Sequence, residues 1–158
     1  VDGRSYSRHA DAEIAAYADH PNIRYFRQDE NYGKTLEYDI ALHNPNCKQI
    51  IVEGMSNRDE LMDLMGLSTL DELKNRLRRS VENERIKTAI DANTSWNDEE
   101  KMKAIIASRY LNSVSKGGNA LTLSLVLEEN RKRKEDDEEK FTFVVPQYIE
   151  EALRWLLS

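Results

Sequence analysis

Three helix-start signals follow one another in the middle of this chain and constrain its fold more than any other feature. Ser56, Thr69 and Asn97 each stand three residues ahead of an acidic residue, and this capping-box spacing is typical of helix N-termini. Apolar residues recur at helical spacing after the second and third signals, as Leu70, Leu73, Leu77 and Val81 and as Met102, Ile105, Ile106 and Val114. We therefore predict three successive helices within residues 55–115.

The segment ahead of these helices mixes helix and strand signals. Residues 7–19 place apolar side chains at the spacing of a helix with one buried stripe, and residues 34–43 do the same. Between them, residues 23–27 are aromatic-rich and bounded by loops, which is typical of a strand. This alternation of helix and strand predicts an α/β arrangement.

The segment after the helical middle shows the same mixture. Every second residue from Leu121 to Leu127 is leucine, which fits an alternating strand or a crowded helix face, and the length favours the helix. Residues 128–140 are all charged except Asn130, so a solvated loop is expected there. Residues 141–145 give the strongest strand pattern in the chain, Pro146 ends it, and a terminal helix follows.

Composition excludes several classes of protein. Apolar residues make up 39% and charged residues 33% of the 158, which suits a folded domain with a polar surface. No apolar run is long enough to span a membrane and no leader is visible, so a cytoplasmic protein with no membrane association is expected. The lone Cys47 cannot form an internal disulfide, and the three histidines lack zinc-site spacing. A net charge of −6 argues against bulk electrostatic binding of nucleic acid, although metal ions could bridge phosphates to carboxylates.

Two short segments carry residues that could do chemistry. Thr35 and Glu37 stand at the opening of a helix, where hydroxyl and carboxylate oxygens can bind Mg²⁺ or Mn²⁺. The alternative is that acidic residues there simply offset the helix dipole. Lys116, ahead of two glycines, could contact a phosphate or stabilise charge on a leaving oxygen, and the alternative is an ordinary helix C-cap. The basic residues 131–134 could touch phosphates, but their acidic neighbours offset them.

Three segments, taken in order, resemble the C-terminal part of the Toprim domain in OLD-family nucleases. They are Lys-Thr-Leu-Glu-Tyr-Asp-Ile-Ala-Leu at 34–42, Lys-Gly at 116–117 ahead of an apolar helix, and Phe-Val-Val-Pro-Gln-Tyr-Ile-Glu-Glu-Ala at 143–152. The resemblance covers about residues 1–45 and 114–157. Ile-Ile-Val-Glu-Gly at 50–54 also looks like the acidic strand that begins a Toprim domain, but no Asp-x-Asp strand follows, so Glu53 is expected at the surface.

The resemblance implies an α/β fold, a partial Toprim-like parallel sheet interrupted by a helical insertion. Its parts would be a first Toprim-like portion at 1–54, the insertion at 55–115 and a closing portion at 116–158, with a charged loop at 128–140. It further implies hydrolysis of nucleic-acid phosphodiesters by two Mg²⁺ or Mn²⁺ ions. The expected nucleic acid is DNA. Glu37, Thr35 and Asp2 would be metal ligands, and Lys116 would be the catalytic lysine.

In that family the Toprim domain follows an ABC-type ATPase. The chain begins at Val1 without methionine, so we interpret it as a fragment whose ATPase and remaining metal ligands lie upstream, and which is inactive alone. A sheet without its first strands would expose an edge that pairing of two copies would cover.

A second hypothesis comes from another class of protein. The apolar stripes on successive helices of the middle segment would serve a non-catalytic protein-interaction or dimerisation module. Thr35, Glu37 and Lys116 would then be ordinary residues at helix ends. A contiguous apolar patch on the surface of the folded chain would favour this alternative.

Overall fold

The structure, a computed structural model, describes residues 11–28 and 34–158. Residues 11–16 form α1. The other helices are α2 (Leu36–His43), α3 (Arg58–Leu64), α4 (Leu70–Arg76), α5 (Val81–Asp91), α6 (Asp98–Leu111), α7 (Lys116–Lys132) and α8 (Gln147–Leu156), with a short 3₁₀ turn at Lys48–Ile50. None of the described helices is long and apolar enough to cross a membrane.

The chain divides into two compact units. Unit 1 combines residues 1–29 with 147–158, and unit 2 comprises residues 30–146. In the described part of unit 1, the rings of Phe26 and Trp155 lie 6.1 Å apart, and Arg27 forms an ion pair with Asp11. The helix α8 that the apolar spacing predicts is confirmed, and none of its residues is fully buried.

Unit 2 is built around α6, which packs against α2, α3, α4 and α5. The middle of α6 is buried from Ala104 to Tyr110. Tyr38 of α2, Leu61 and Leu64 of α3, and Leu73 of α4 are fully buried in the same core. This helix is therefore the centre against which α2, α3, α4 and α5 pack.

The start signals at Thr69 and Asn97 are confirmed as helix caps. The Thr69 hydroxyl accepts a hydrogen bond from the Glu72 amide at 3.3 Å, and Asn97 forms a complete capping box with Glu100. The signal at Ser56 is displaced by one residue, because α3 follows Asn57, whose φ of 53° is left-handed.

The prediction of one helix running from Leu70 to Val81 is wrong. The chain turns after Arg76, and Ser80 caps the separate helix α5 by accepting from the Asn83 amide at 3.1 Å. Val81 therefore stands at the first position of a new helix and is 72% exposed instead of buried. A serine cap without a capping box at the expected spacing explains why the sequence pattern missed this start.

The predicted α/β fold with a Toprim-like parallel sheet is wrong, because the described residues form no strand at all. Residues 23–27 and 141–145, the two predicted strands, lie outside any helix but pair with no neighbouring strand in the described chain. The predicted loop at 128–140 is also wrong in its first part, since α7 continues to Lys132. Glu53 is exposed, as expected.

Two asparagines replace the missing strand neighbour of residues 141–145. The Asn44 carboxamide donates to the Val144 carbonyl at 2.8 Å and accepts from the Val144 amide at 2.7 Å. The Asn130 carboxamide does the same with Phe141, at 2.8 and 3.0 Å. We call these contacts the asparagine pairs. They satisfy main-chain groups that would otherwise need a sheet.

A buried ion pair ties α3 to α6. Glu60 and Arg109 are only 3% and 4% exposed, and the guanidinium donates to Glu60 Oε2 through Nε at 2.9 Å and through a terminal nitrogen at 2.8 Å. The other Glu60 oxygen accepts from the Arg78 amide at 2.9 Å and from the Asn83 carboxamide at 3.2 Å. Arg109 also donates to Glu82 at 2.8 Å, so the network reaches α5.

Two buried tyrosines make the stability of unit 2 sensitive to alkali. Burial, together with the Asp39 charge, raises the pKa of Tyr38 to about 12, and burial with the Glu37 charge raises the pKa of Tyr110 to about 12. A phenol in the unfolded chain ionises near pH 10. The stabilising contribution of both groups is therefore complete below about pH 10 and is lost as the pH rises through about 12.

We expect the melting temperature of the wild-type chain to fall more steeply over this alkaline interval than that of the double variant Tyr38→Phe/Tyr110→Phe. Circular dichroism melts at stepped pH measure this difference. Equal slopes in the two proteins would contradict the pKa shifts.

Candidate functional site

Thr35 acts as a helix cap in the structure. It is the N-cap residue of α2, and its hydroxyl accepts a hydrogen bond from the Tyr38 amide at 3.3 Å. The prediction that Thr35 stands at the opening of a helix is confirmed, and its side chain caps that helix. Its hydroxyl oxygen keeps a second lone pair, so its role as a metal ligand stays a prediction.

Glu37 lies in the first turn of α2 near the phenol of Tyr110. Its negative charge contributes to raising the pKa of Tyr110, whose hydroxyl donates to the Ile50 carbonyl at 3.2 Å. Within the described ranges, no group of three or more His, Cys, Asp or Glu side chains is placed to hold a metal ion. The assignment of Glu37 to Mg²⁺ or Mn²⁺ stays a prediction, and Asp2 lies outside the described residues.

Lys116 is the first residue of α7, so its backbone begins a helix and does not end one. The C-cap alternative for Lys116-Gly117 is therefore wrong. Gly117 and Gly118 lie within the first turn of the helix. The catalytic assignment of Lys116, with the nuclease activity it belongs to, stays a prediction.

The outer face of α7 is the most distinctive surface of unit 2. Gly117, Leu121, Leu125, Glu128 and Lys132 follow one another along this face at intervals of three or four residues, and we call them the leucine stripe. Leu121 is 66% and Leu125 is 60% exposed, whereas Leu123 on the opposite face is 6% exposed. The helix therefore has one buried apolar face and a second one that unit 2 leaves open.

Asn119 fixes the orientation of this helix. Its side chain is buried, accepts from the Ser115 amide and donates to the Glu53 carbonyl at 3.3 Å. Because Asn119 and Leu123 hold the inner face, Gly117 and Leu121 must point outward. The exposure of the leucine stripe thus follows from how the helix is anchored.

In the part of the chain that the structure describes, the first turn of α7 has free space around its glycines and lacks a side-chain cap. A methyl group added at Gly117 or Gly118 would meet no atom within 4 Å. Ser115, the N-cap residue, makes no side-chain hydrogen bond to the first-turn amides of the described helix. Glycine in a helix costs about 0.5–1 kcal/mol relative to alanine, so packing within unit 2 gives no reason for two successive glycines here.

The sequence pattern did not single out the leucine stripe. Leucine at every second position suggests one crowded helix face, but a step of two residues along a helix turns it by about 200°. Leu121 and Leu125 therefore face away from Leu123. Helix geometry alone could have predicted two opposite apolar faces.

The described part of unit 2 defines a small helical domain with an exposed apolar stripe on one helix. No family model, no curated protein sequence and no solved structure matches this chain. The case for a function consequently rests on the geometry given above.

Proposed function

We propose that this chain is a helical dimerisation module in which α7 pairs with α7 of a second copy. The observation that carries the proposal is the exposure of Leu121 and Leu125 on a helix whose opposite face is already buried. A helix with apolar residues on two faces is typical of one that is covered on both sides. The mode is helix against helix, with leucines at the centre of the contact.

The glycines support a close approach by another helix. Gly117 lies on the leucine stripe and Gly118 beside it, and neither has a neighbour that a side chain would displace. A second helix can approach the backbone closely where side chains are absent. The cost of two glycines in a helix is then offset in the dimer.

The charges favour an antiparallel pairing of two identical helices. If the two helices cross at the level of Leu123 along the helix axis, Leu121 of one copy lies beside Leu125 of the other. Glu129 of one copy then lies beside Gly117 of the other, whereas Glu128, at the level of Gly118, is already ion-paired with Arg131 and Lys132 of its own helix. The free amides of a helix N-terminus attract carboxylates, so each end of the contact gains an attraction.

The area of the contact between the two helices is small, so the affinity of the dimer is low. A helix of 17 residues is about 25 Å long, so the two helices alone bury less than the roughly 1,000 Å² of a stable interface. We therefore expect a weak dimer in which the proportion of dimer rises with protein concentration.

Sedimentation velocity of the full chain over a wide range of concentration tests the proposal. We expect the double variant Leu121→Lys/Leu125→Lys to raise the dimer dissociation constant by about tenfold or more, because burial of both leucines is lost. Its melting temperature at low concentration should stay unchanged, since both side chains are exposed in the monomer.

The matched control is Leu36→Lys, at a leucine on α2 that is 48% exposed and lies outside the leucine stripe. This variant should dimerise like the wild type. A wild-type chain that stays monomeric at the highest concentration would overturn the proposal, as would equal weakening by the control.

Substitutions of Gly117 provide a second, independent test of the dimer. Gly117→Ala should stabilise the monomer by about 0.5–1 kcal/mol through helix propensity. Gly117→Leu should also be tolerated by the monomer but should weaken the dimer, because its side chain stands where the second helix approaches. If the Gly117→Leu variant dimerises as tightly as the wild type, the antiparallel pairing is excluded.

A further inference from the structure

We propose that the cleft between α5 and α6 binds a small organic anion with an apolar body, such as an amphipathic carboxylate. The cleft lies within unit 2 and has a volume of about 550 Å³. This volume falls within the range of sites that bind small molecules. It is a different surface from the leucine stripe, and the inference is independent of dimerisation.

One wall of the cleft is apolar. Ile86 and Ile90 of α5 are buried at 8% and 3% exposure, and both line the cleft together with Ala89 and Leu111. The two isoleucines form the floor, and an apolar group that enters the cleft would cover Val81, which is 72% exposed, and the half-buried Leu111. The free energy of binding from this wall would scale with the apolar area that is covered.

The rim of the cleft is cationic. Lys34 and Arg85 line it, and neither forms a salt bridge with a carboxylate among the described residues. Glu82 also lines it, and its half-exposed carboxylate accepts at 2.8 Å from buried Arg109, a guanidinium that it shares with Glu60. Two cations and one half-exposed carboxylate thus line the cleft, so the formal charge of its described lining is positive.

The Lys34 ammonium is partly withdrawn from water. It lies 4.7 Å from the centroid of the Tyr38 ring, and burial lowers the pKa of Lys34. A cation that has lost part of its hydration gains more from a bound anion than a fully solvated one. Ser108 and Asn112 add hydroxyl and amide groups to the same cleft.

These features select the ligand by chemistry. Two cations favour an anion over a neutral molecule, and the isoleucine wall favours an apolar body over a small inorganic ion. Octanoate, 1-octanol and inorganic phosphate separate the two contributions, because each probe has one or both features. We expect octanoate to bind most tightly of the three.

The test is an NMR titration of the full chain with each probe. The backbone amide resonances of Ser108 and Asn112 report binding. We expect octanoate to shift both resonances and the double variant Lys34→Gln/Arg85→Gln to bind it about tenfold more weakly, since charged hydrogen bonds are lost. The matched control Arg79→Gln removes an exposed arginine that does not line the cleft, and should leave the affinity unchanged.

Ala89→Phe provides a variant that does not depend on charge. Ala89 is exposed on α5, so the larger side chain should be tolerated by the fold and should fill the cleft. Octanoate binding should then be lost while the melting temperature is retained. Equal affinity for octanoate and 1-octanol, an undiminished affinity in the Lys34→Gln/Arg85→Gln variant, or binding that shifts neither Ser108 nor Asn112 would each overturn the proposal.

Discussion

Arg109→Met should lower the free energy of unfolding of the chain by about 3–5 kcal/mol, the largest effect that we expect from a single substitution. The substitution leaves the Glu60 carboxylate, which is 3% exposed, without its cationic partner. The remaining hydrogen bonds, from the Arg78 amide and the Asn83 carboxamide, do not neutralise its charge. Urea denaturation followed by circular dichroism measures the loss.

The double variant Glu60→Leu/Arg109→Met is the decisive control. A buried ion pair contributes little net stability compared with apolar side chains of similar size, because both charges must be desolvated. We therefore expect the double variant to recover part of the stability lost in the single variant, because the Arg78 amide and the Asn83 carboxamide lose their acceptor on Glu60. Additive losses would mean that Arg109 stabilises the chain by packing and not by pairing with Glu60.

Glu82→Gln serves as a comparison at the other end of the network. The Glu82 side chain is 52% exposed and shares the same guanidinium at 2.8 Å. A half-exposed ion pair contributes about 1 kcal/mol or less, so this variant should be nearly as stable as the wild type. A large loss would show that Arg109 needs both carboxylates.

Asn44→Ala should lower the free energy of unfolding by about 2–3 kcal/mol and should release residues 141–145. The carboxamide of Asn44 holds the amide and the carbonyl of Val144, and it also donates to the Ile40 carbonyl at 2.8 Å. All of these partners would lose their hydrogen bonds from the Asn44 side chain. Hydrogen exchange of the Val144 amide should accelerate much more than exchange within α6.

Asn44→Asp is the matched variant for this prediction. It retains an oxygen to accept from the Val144 amide but has no donor for the two carbonyls. We expect intermediate stability and partial protection of the Val144 amide. If Asn44→Ala leaves that exchange rate unchanged, then packing of Phe143 against the core, and not the asparagine pair, holds the segment.

Local signals were the part of the fold that the sequence could predict. The caps at Thr69 and Asn97 act within one turn, so their spacing determines the helix start wherever the helix later packs. The strand at 141–145 could not be judged in this way. Its residues favour an extended chain, but a strand needs a partner, and the partner that the fold supplies is the side chain of Asn44, a hundred positions earlier.

The candidate site shows the same division between local and distant causes. The spacing of residues 34–43 predicted a helix that opens near Thr35, and the structure places Thr35 at its N-cap. Whether Leu121 and Leu125 are covered depends on the other helices of unit 2, and no local pattern contains that information. Leu123 is buried because Asn119 turns its face of α7 inward, toward the Glu53 carbonyl.

The asparagine pairs also determine where unit 2 can accept a change in chain length. The Asn130 side chain bonds the main chain of Phe141, so it holds together the two ends of the loop at residues 133–140 that follows α7. Each doubling of such a loop costs only about 0.6 kcal/mol. Between Phe141 and Val144, by contrast, one added residue would move a main-chain group away from its asparagine. An epitope or a fluorescent label should therefore be inserted in the charged loop and not between Phe141 and Val144.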